Sequence, residues 1–403
     1  MNILMVSPEY PPRSIGGGGV VYKNLSEQLN RQGHRINVIA GNFENKNWLG
    51  KIEMLSNKNL HLSFVPLLPY PGLKNANLAT YTLPTLSGLL FITKSLVKNK
   101  NSVVHLHGLC HPIIDVAAFM CLLLRRKYIL TCHGIPVNIR RLNPLAKVFF
   151  SLYLGTIERL IVKNAAVLTT VSNALKNKCI NKKLTNKKMI VVPNGVNAFT
   201  HSFTPQIVER IEAKYSLCGK HVIFAIGRLS ENKGFQHLIE AMPHVVSVMP
   251  NAVAVIAGTG AYKEKLVELI KSNGLEAHVK LVGWVSEEDK LALYARSDMV
   301  VFPSVDEPFG IVLLEALEMN KPLIAFNTPS AKEILNDEVA IFIPVGNSDA
   351  LAKAIVEVIN DSKLRRKLVI NTTKISITSW DKIVNKYIAV YQNLIPKSWK
   401  LRC

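Results

Sequence analysis

The sequence predicts an α/β protein made of two Rossmann-like domains, each a parallel sheet, facing an interdomain cleft. Three observations predict it. At 403 residues the chain is long enough for two ordinary domains, each with its own core. Short apolar runs alternate with helical stretches along most of the chain, the pattern of parallel strands covered on both faces. Several of these runs end in glycine, as at Gly227, Gly258 and Gly283, where backbones or ligands approach closely.

Composition narrows the class. Hydrophobic residues make up 48% and mean hydropathy is +0.18, which excludes a disordered chain. The 49 Lys and Arg against 28 Asp and Glu give a net charge of +21, favouring anionic partners: nucleic acid, acidic lipid or phosphorylated substrate. No zinc pattern, RNP-like string or basic-aromatic interleaving is present, so no nucleic acid is expected. The opening MNILMVS runs straight into a strand with no leader, and the six cysteines form no C-x-x-C pair; both fit a cytoplasmic protein. Leu83 to Val97 and Pro112 to Leu124 are interrupted by Lys94 and Asp115 and are expected to be buried helices, not membrane spans.

In the first half, Asn2 to Val6 reads as a strand, SPEYPPRSIGGGG as a glycine loop containing Gly16 and Gly17, and Val20, Val21, Leu25 and Leu29 as the start of a helix. Arg35 to Ala40 follows as a strand. Further strands are expected at His61 to Val65, Val103 to Leu106, Tyr128 to Cys132, Val167 to Val171 and Met189 to Val192. His107 and His133 each end a strand just before a glycine. Ligands of open α/β sheets sit at the carboxyl ends of strands, which makes His133 a candidate for a group beside the reacting centre. His105 and His111 read as packing or surface residues. Between Arg140 and Lys163, basic and apolar residues intersperse as in an amphipathic helix able to lie on an anionic membrane. The turn Asn194-Gly195 and the lapse of periodicity after it place the domain boundary near residue 200, giving domains 1–200 and 201–378.

The second half opens with a strand, His221 to Ile226, that delivers Gly227, Arg228, Lys233 and Gly234. Two cations at a strand end suit a departing diphosphate, which gains negative charge as its bond breaks. No D-x-D occurs anywhere in the chain, so the cations could carry that charge without a metal. The strands Ala252 to Ala257 and Val279 to Gly283 repeat the arrangement, ending in Gly258-Thr259-Gly260 and in Trp284-Val285. The fullest signal is PSVDEPFGIVLLEAL: after the strand Met299 to Phe302, Pro303 and Pro308 bracket a turn and a helix begins after Gly310. Its free N–H groups, from Phe309, Gly310 and Ile311 onward, suit phosphate. Glu307 and Glu315 flank that start, and carboxylates accept hydrogen bonds from hydroxyls. Phosphate at the middle and hydroxyl-bearing sugars at both ends describe a nucleotide-sugar. Pro322 to Phe326 is a last expected strand, and Trp380, Ile383, Val384, Tyr387 and Tyr391 mark an amphipathic helix over 379–396.

These motifs, in order along nearly the whole chain, resemble the retaining glycosyltransferases of family 4 (glycosyl transferases group 1), which have the GT-B fold. E-P-F-G-I-x-x-x-E-A is similar to the family's E-x7-E signature, Thr131-Cys132-His133-Gly134 to its T-x-H-G, and PNGVN to its P-N-G-V-D. The resemblance implies an N-terminal acceptor-binding domain, joined by the C-terminal helix, and a C-terminal donor-binding domain. It implies transfer of a sugar from a nucleoside diphosphate sugar, uridine or guanosine, to a hydroxyl of a glycan or lipid-linked acceptor with retention of configuration. It implies no cofactor and no metal. Arg228, Lys233 and the amides at Gly310 and Ile311 would hold the diphosphate, Glu315 the ribose, Glu307 and His133 the transferred sugar, and Val285 the base. Gly16, Gly17, Gly258 and Gly260 would lie along the donor. Pro329-Ser330 stands where the family has a glycine pair before its glutamate, here Glu333. The alternatives are a sugar-nucleotide epimerase of the same fold, which would convert donor without acceptor, and, from the charge of +21, a basic nucleic-acid-binding protein.

Overall fold

The computed structural model describes residues 1–13, 17–42, 52–69, 82–135, 148, 151–185, 188–196 and 205–394. The chain forms two compact units, Met1–Asn194 joined by the chain from Trp380, and Gly195–Ser379.

The first unit is built on β1 (Asn2–Ser7), β2 (Arg35–Asn42), β3 (Glu53–Asn57), β4 (Leu60–Pro69), β5 (Thr82–Pro84), β6 (Val103–His107), β7 (Tyr128–Cys132), β8 (Val167–Thr170) and β9 (Met189–Val191). Their order is β3-β4-β2-β1-β6-β7-β8-β9, with β5 on β4. The neighbours from β4 through to β9 are parallel. Ile3 to Val6 are wholly buried, as expected of a strand covered on both faces. The sheet is not parallel throughout, however: β3 and β5 both pair antiparallel with β4. β3 was not expected because every residue of it is exposed and its two apolar residues, Met54 and Leu55, are adjacent and do not alternate with polar ones.

The chain steps from β1 to β2 in one direction and from β6 through β7 to β8 in the other. Right-handed crossovers therefore place the connecting helices on opposite faces. The helices Gly17–Arg31 and Trp380–Gln392 pack together on one face. On the other, Leu86–Lys98 packs beside Pro112–Leu123, which packs beside Arg159–Asn164. The expectation of buried helices at Leu83 to Val97 and Pro112 to Leu124 is corrected here. Each is buried along one side only, and Leu86, Leu90, Val97, Phe119 and Leu123 are exposed. Among the described residues no helix is long and apolar enough to cross a membrane. Of the basic amphipathic stretch Arg140 to Lys163, the first part lies outside the described residues apart from Val148; residues 151–164 are helical, with Leu154–Glu158 wound as a π-helix.

The second unit is a six-stranded parallel sheet of β10 (His221–Ile226), β11 (Ala252–Ala257), β12 (Val279–Gly283), β13 (Met299–Phe302), β14 (Leu323–Phe326) and β15 (Ala340–Ile343), in the order β12-β11-β10-β13-β14-β15. Strand alternation splits its core in two. Ile223 and Ala225 of β10 join Ile256 of β11 and the helices Phe235–Val248 and Ser348–Asn360 on one side. Val222 and Phe224 join Val255 of β11 and the helices Glu287–Arg296 and Ile311–Glu318 on the other.

Candidate active site

Four loops leave the carboxyl ends of adjacent parallel strands in the second unit: after β10, β11, β12 and β13. Backbone bonds zip them together. Gly227 N donates to Ala257 O at 3.0 Å, Leu229 N to Thr259 O at 2.8 Å and Gly258 N to Gly283 O at 2.7 Å. Across the sheet, Val305 N donates to Asn232 O at 2.9 Å and Asn232 Nδ2 to Asp306 O at 3.1 Å. One edge of one sheet thus gathers Arg228, Lys233, Gly258, Gly260, Val285, Glu307, Phe309, Gly310 and Ile311, which are scattered over the sequence.

Charge is placed unevenly on that edge. Lys233 Nζ is paired with Glu307 Oε2, with only 21% and 12% of the two side chains exposed, and Ser304 Oγ donates to the same oxygen at 3.3 Å. Arg228 is exposed, and no partner of its side chain occurs among the described residues. The helices Phe235–Val248 and Ile311–Glu318 both start from a glycine of positive φ, Gly234 and Gly310, with no side-chain cap. The third amides, His237 N and Leu313 N, donate to the carbonyls of Gly234 and Gly310, and no side chain accepts at either start as Ser286, Thr328 and Asn347 do in other helices of this unit. Phosphate oxygens are the acceptors such an edge can take.

Glu315 lies one turn inside the helix after Gly310, and its partners were not legible in the sequence. Lys290 Nζ donates to Oε1 at 2.6 Å and Tyr294 OH to Oε2 at 2.9 Å. Both come from the helix Glu287–Arg296, one turn apart. Burial opposes the charge on Lys290, but Glu315 and Glu287 outweigh it and its pKa is raised. Burial and the Glu315 charge push the Tyr294 hydroxyl well up, so it donates and does not ionise. The carboxylate is thereby held in one place, with its remaining lone pairs open to hydroxyl donors. The i, i+4 spacing of Lys290 and Tyr294 was visible, but a shared helix face says nothing of what it meets.

The glycines have packing reasons of their own. A Cβ on Gly258 would lie 1.9 Å from Gly227 O, and one on Gly260 2.2 Å from Leu229 O. These positions let the loops after β10 and β11 touch, whether or not a ligand also lies against them. Trp284, which could have been ordinary packing, is 77% exposed beside half-buried Val285. Pro329 sits at the start of the helix Pro329–Ile334, where its missing N–H is not needed, and Thr328 caps that helix.

In the first unit, Gly16 lies outside the described residues and Gly17 is helical. The expected glycine loop is corrected from Gly17 onward to the first turn of the helix Gly17–Arg31, and Gly19 N donates to Glu9 Oε1 at 3.0 Å. The helix N-terminus is answered by the chain's own carboxylate. His133 Nε2 is 3.0 Å from His107 Nδ1, and His107 Nε2 is buried with no partner among the described residues. His105, expected to be a packing or surface residue, is packed: it is wholly buried, with Nδ1 2.8 Å from Tyr391 OH and Nε2 2.6 Å from Thr131 Oγ1. All three imidazoles are depressed by burial, His105 and His107 well below the ordinary value; burial, then the charge of His111, brings His133 down to about 3.

A stability prediction follows from that depression. Unfolded, these histidines titrate near pH 6.5, so between about 6.5 and 3 the unfolded chain binds more protons than the folded one. The stabilisation is complete above about pH 6.5 and shrinks as pH falls; His133 alone contributes about 2 kcal/mol of loss by about pH 5. Thermal melts should show a steep drop over this range that His133→Asn makes shallower. Identical slopes in the two proteins would remove the argument.

Residues 208–375 match the family model described as Glycosyl transferases group 1, and residues 15–198 match Glycosyltransferase Family 4. An uncharacterized glycosyltransferase of Methanocaldococcus jannaschii is 30% identical over 97% of this chain and 98% of its own. A phosphatidyl-myo-inositol mannosyltransferase of Mycobacterium leprae is 30% identical over 53% of this chain and 56% of its own. Among solved structures, Anabaena HepE in complex with UDP-glucose matches with a TM-score of 0.76, covering 98% of this chain and 100% of that one at 19% identity. The architecture is that of the GT-B fold.

Proposed function

The chain belongs to the family 4 glycosyltransferases of group 1, and from that premise we propose that it transfers a hexosyl group from a nucleoside diphosphate sugar to an acceptor hydroxyl, with retention and without a metal ion. The observation that carries the reading is the edge on which paired Lys233 and Glu307, exposed Arg228 with no partner among the described residues, and two helix starts without a side-chain cap converge.

Arg228, Lys233 and the amides at Gly310 and Ile311 take up the negative charge that grows on the diphosphate as the glycosidic bond breaks. Glu315, fixed by Lys290 and Tyr294, accepts from the ribose hydroxyls. Glu307 accepts from hydroxyls of the transferred sugar, and its contact with Lys233 places that sugar next to the diphosphate. Val285 and exposed Trp284 receive the base. The acceptor hydroxyl attacks from the face the diphosphate vacates and passes its proton to a departing phosphate oxygen. His133, neutral at physiological pH, orients the donor sugar by hydrogen bonding. The UDP-glucose in the HepE structure favours uridine over guanosine, and the phosphatidyl-myo-inositol mannosyltransferase relative supports a lipid-linked acceptor.

The test is a panel of uridine and guanosine diphosphate sugars, each with and without lipid and saccharide acceptors, followed by mass spectrometry and anomeric NMR. A product is expected only with acceptor present, with the donor's anomeric configuration, and unchanged by EDTA. An epimerised donor in the absence of acceptor, an inverted linkage or loss of turnover in EDTA would each overturn the corresponding part.

A further inference from the structure

Three adjacent helical stretches of the first unit turn apolar side chains outward. On Leu86–Lys98, Leu86 is 60% and Leu90 51% exposed; on Pro112–Leu123, Phe119 is 50% and Leu123 62% exposed. Each pair is one helical turn apart, so each forms a stripe. On the stretch 151–164, Leu152 and Leu160 are 63% and 47% exposed. These helices lie side by side on one face of the sheet, so the stripes share a surface. Scattered exposed leucines need no explanation, but a face of them does.

The charges on that face have one sign. Lys94, Lys98, Arg125, Lys127, Arg159 and Lys163 are all exposed. The carboxylates of the same helices point inward: Glu158 is 1% exposed and accepts from the Cys110 amide, while Asp115 accepts from the Tyr153 hydroxyl. Residues 86–98, 112–127 and 151–164 therefore present no exposed carboxylate. A second copy meeting this face through a twofold axis would set cation against cation. A protein partner would call for the aromatic and polar anchors of an interface core, and Phe119 is the one exposed aromatic residue on these stretches.

We propose that this face docks on an anionic lipid bilayer: Leu86, Leu90, Phe119 and Leu123 enter the boundary between headgroups and acyl chains, and the lysines and arginines meet headgroup phosphates. Docking orients the first unit on the membrane whatever its acceptor is, and so goes beyond the transfer reaction proposed above.

Flotation with vesicles of phosphatidylcholine, with and without phosphatidylglycerol, tests it. The protein should float with the anionic vesicles only and should be released about tenfold by high salt. L90E/L123E and K94E/R159E should each lower the bound fraction about tenfold while the melting temperature and its rise with added nucleoside diphosphate stay as in the parent. That second readout separates failure of docking from failure of the donor-site assignment. No flotation, flotation unaffected by either variant, or a dimer in size-exclusion chromatography that L90E/L123E dissociates would overturn the proposal, the last by identifying a second copy as the occupant.

Discussion

Glu307→Gln and Lys233→Ala should each lower turnover by about 100- to 1,000-fold while the melting temperature moves little. Both groups act where charge or hydroxyl contacts tighten as the glycosidic bond breaks, so the loss should fall on kcat more than on KM. The two side chains touch each other, which makes their effects interdependent. Removing Lys233 frees Glu307 from its cation, and removing the Glu307 charge leaves Lys233 facing the diphosphate alone. The double variant should therefore lose much less than the product of the two single losses. Stability should change by only about 1 kcal/mol, because the pair keeps contact with water and Ser304 still serves Glu307. Product formation by mass spectrometry, with donor-induced thermal shift as a binding control, gives both numbers. Full activity in either single variant would remove the assigned site.

Much of this site could be read from the chain because its parts follow local rules. Apolar runs of β10, β11 and β13 are buried on both faces, and the glycines and cations come at their carboxyl ends, where the topology gathers them. The E-x7-E spacing fixes Glu307 before the helix and Glu315 within it. Partners across the fold obey no local rule. Lys290 and Tyr294 reach Glu315 only because two helices share one side of the sheet, and His105 meets Tyr391 only because the terminal helix packs on the first unit. Periodicity also fails to separate inside from outside when both sides of a helix are apolar. Leu86, Leu90, Phe119 and Leu123 read as core and lie on the surface. The glycine run misled for a related reason: four glycines signal a loop by propensity, yet Gly17 to Gly19 are held in a helix whose N-terminus faces the Glu9 carboxylate.

Gly234→Ala should unfold the second unit far more readily and take donor binding with it. Gly234 has φ +71, and a Cβ there would lie 1.8 Å from Pro303 O and 2.8 Å from Pro303 C, both backbone atoms that cannot rotate away. The left-handed conformation alone costs a non-glycine residue about 1 kcal/mol, and the overlap must be relieved by parting the loops after β10 and β13. Parting them breaks the Val305 to Asn232 and Asn232 to Asp306 bonds, for a total of about 3 kcal/mol or more. The same movement draws Lys233 away from Glu307. Gly274→Ala is the matched control: its φ is +62, but a Cβ would meet nothing within 4 Å, so only the conformational cost of about 1 kcal/mol applies. Urea denaturation of both variants, with the thermal shift on adding a nucleoside diphosphate, separates the two. The control should keep the shift and most of its stability; Gly234→Ala should lose both, and equal stability in the two would mean that the loops after β10 and β13 are not held in the contact on which the site depends.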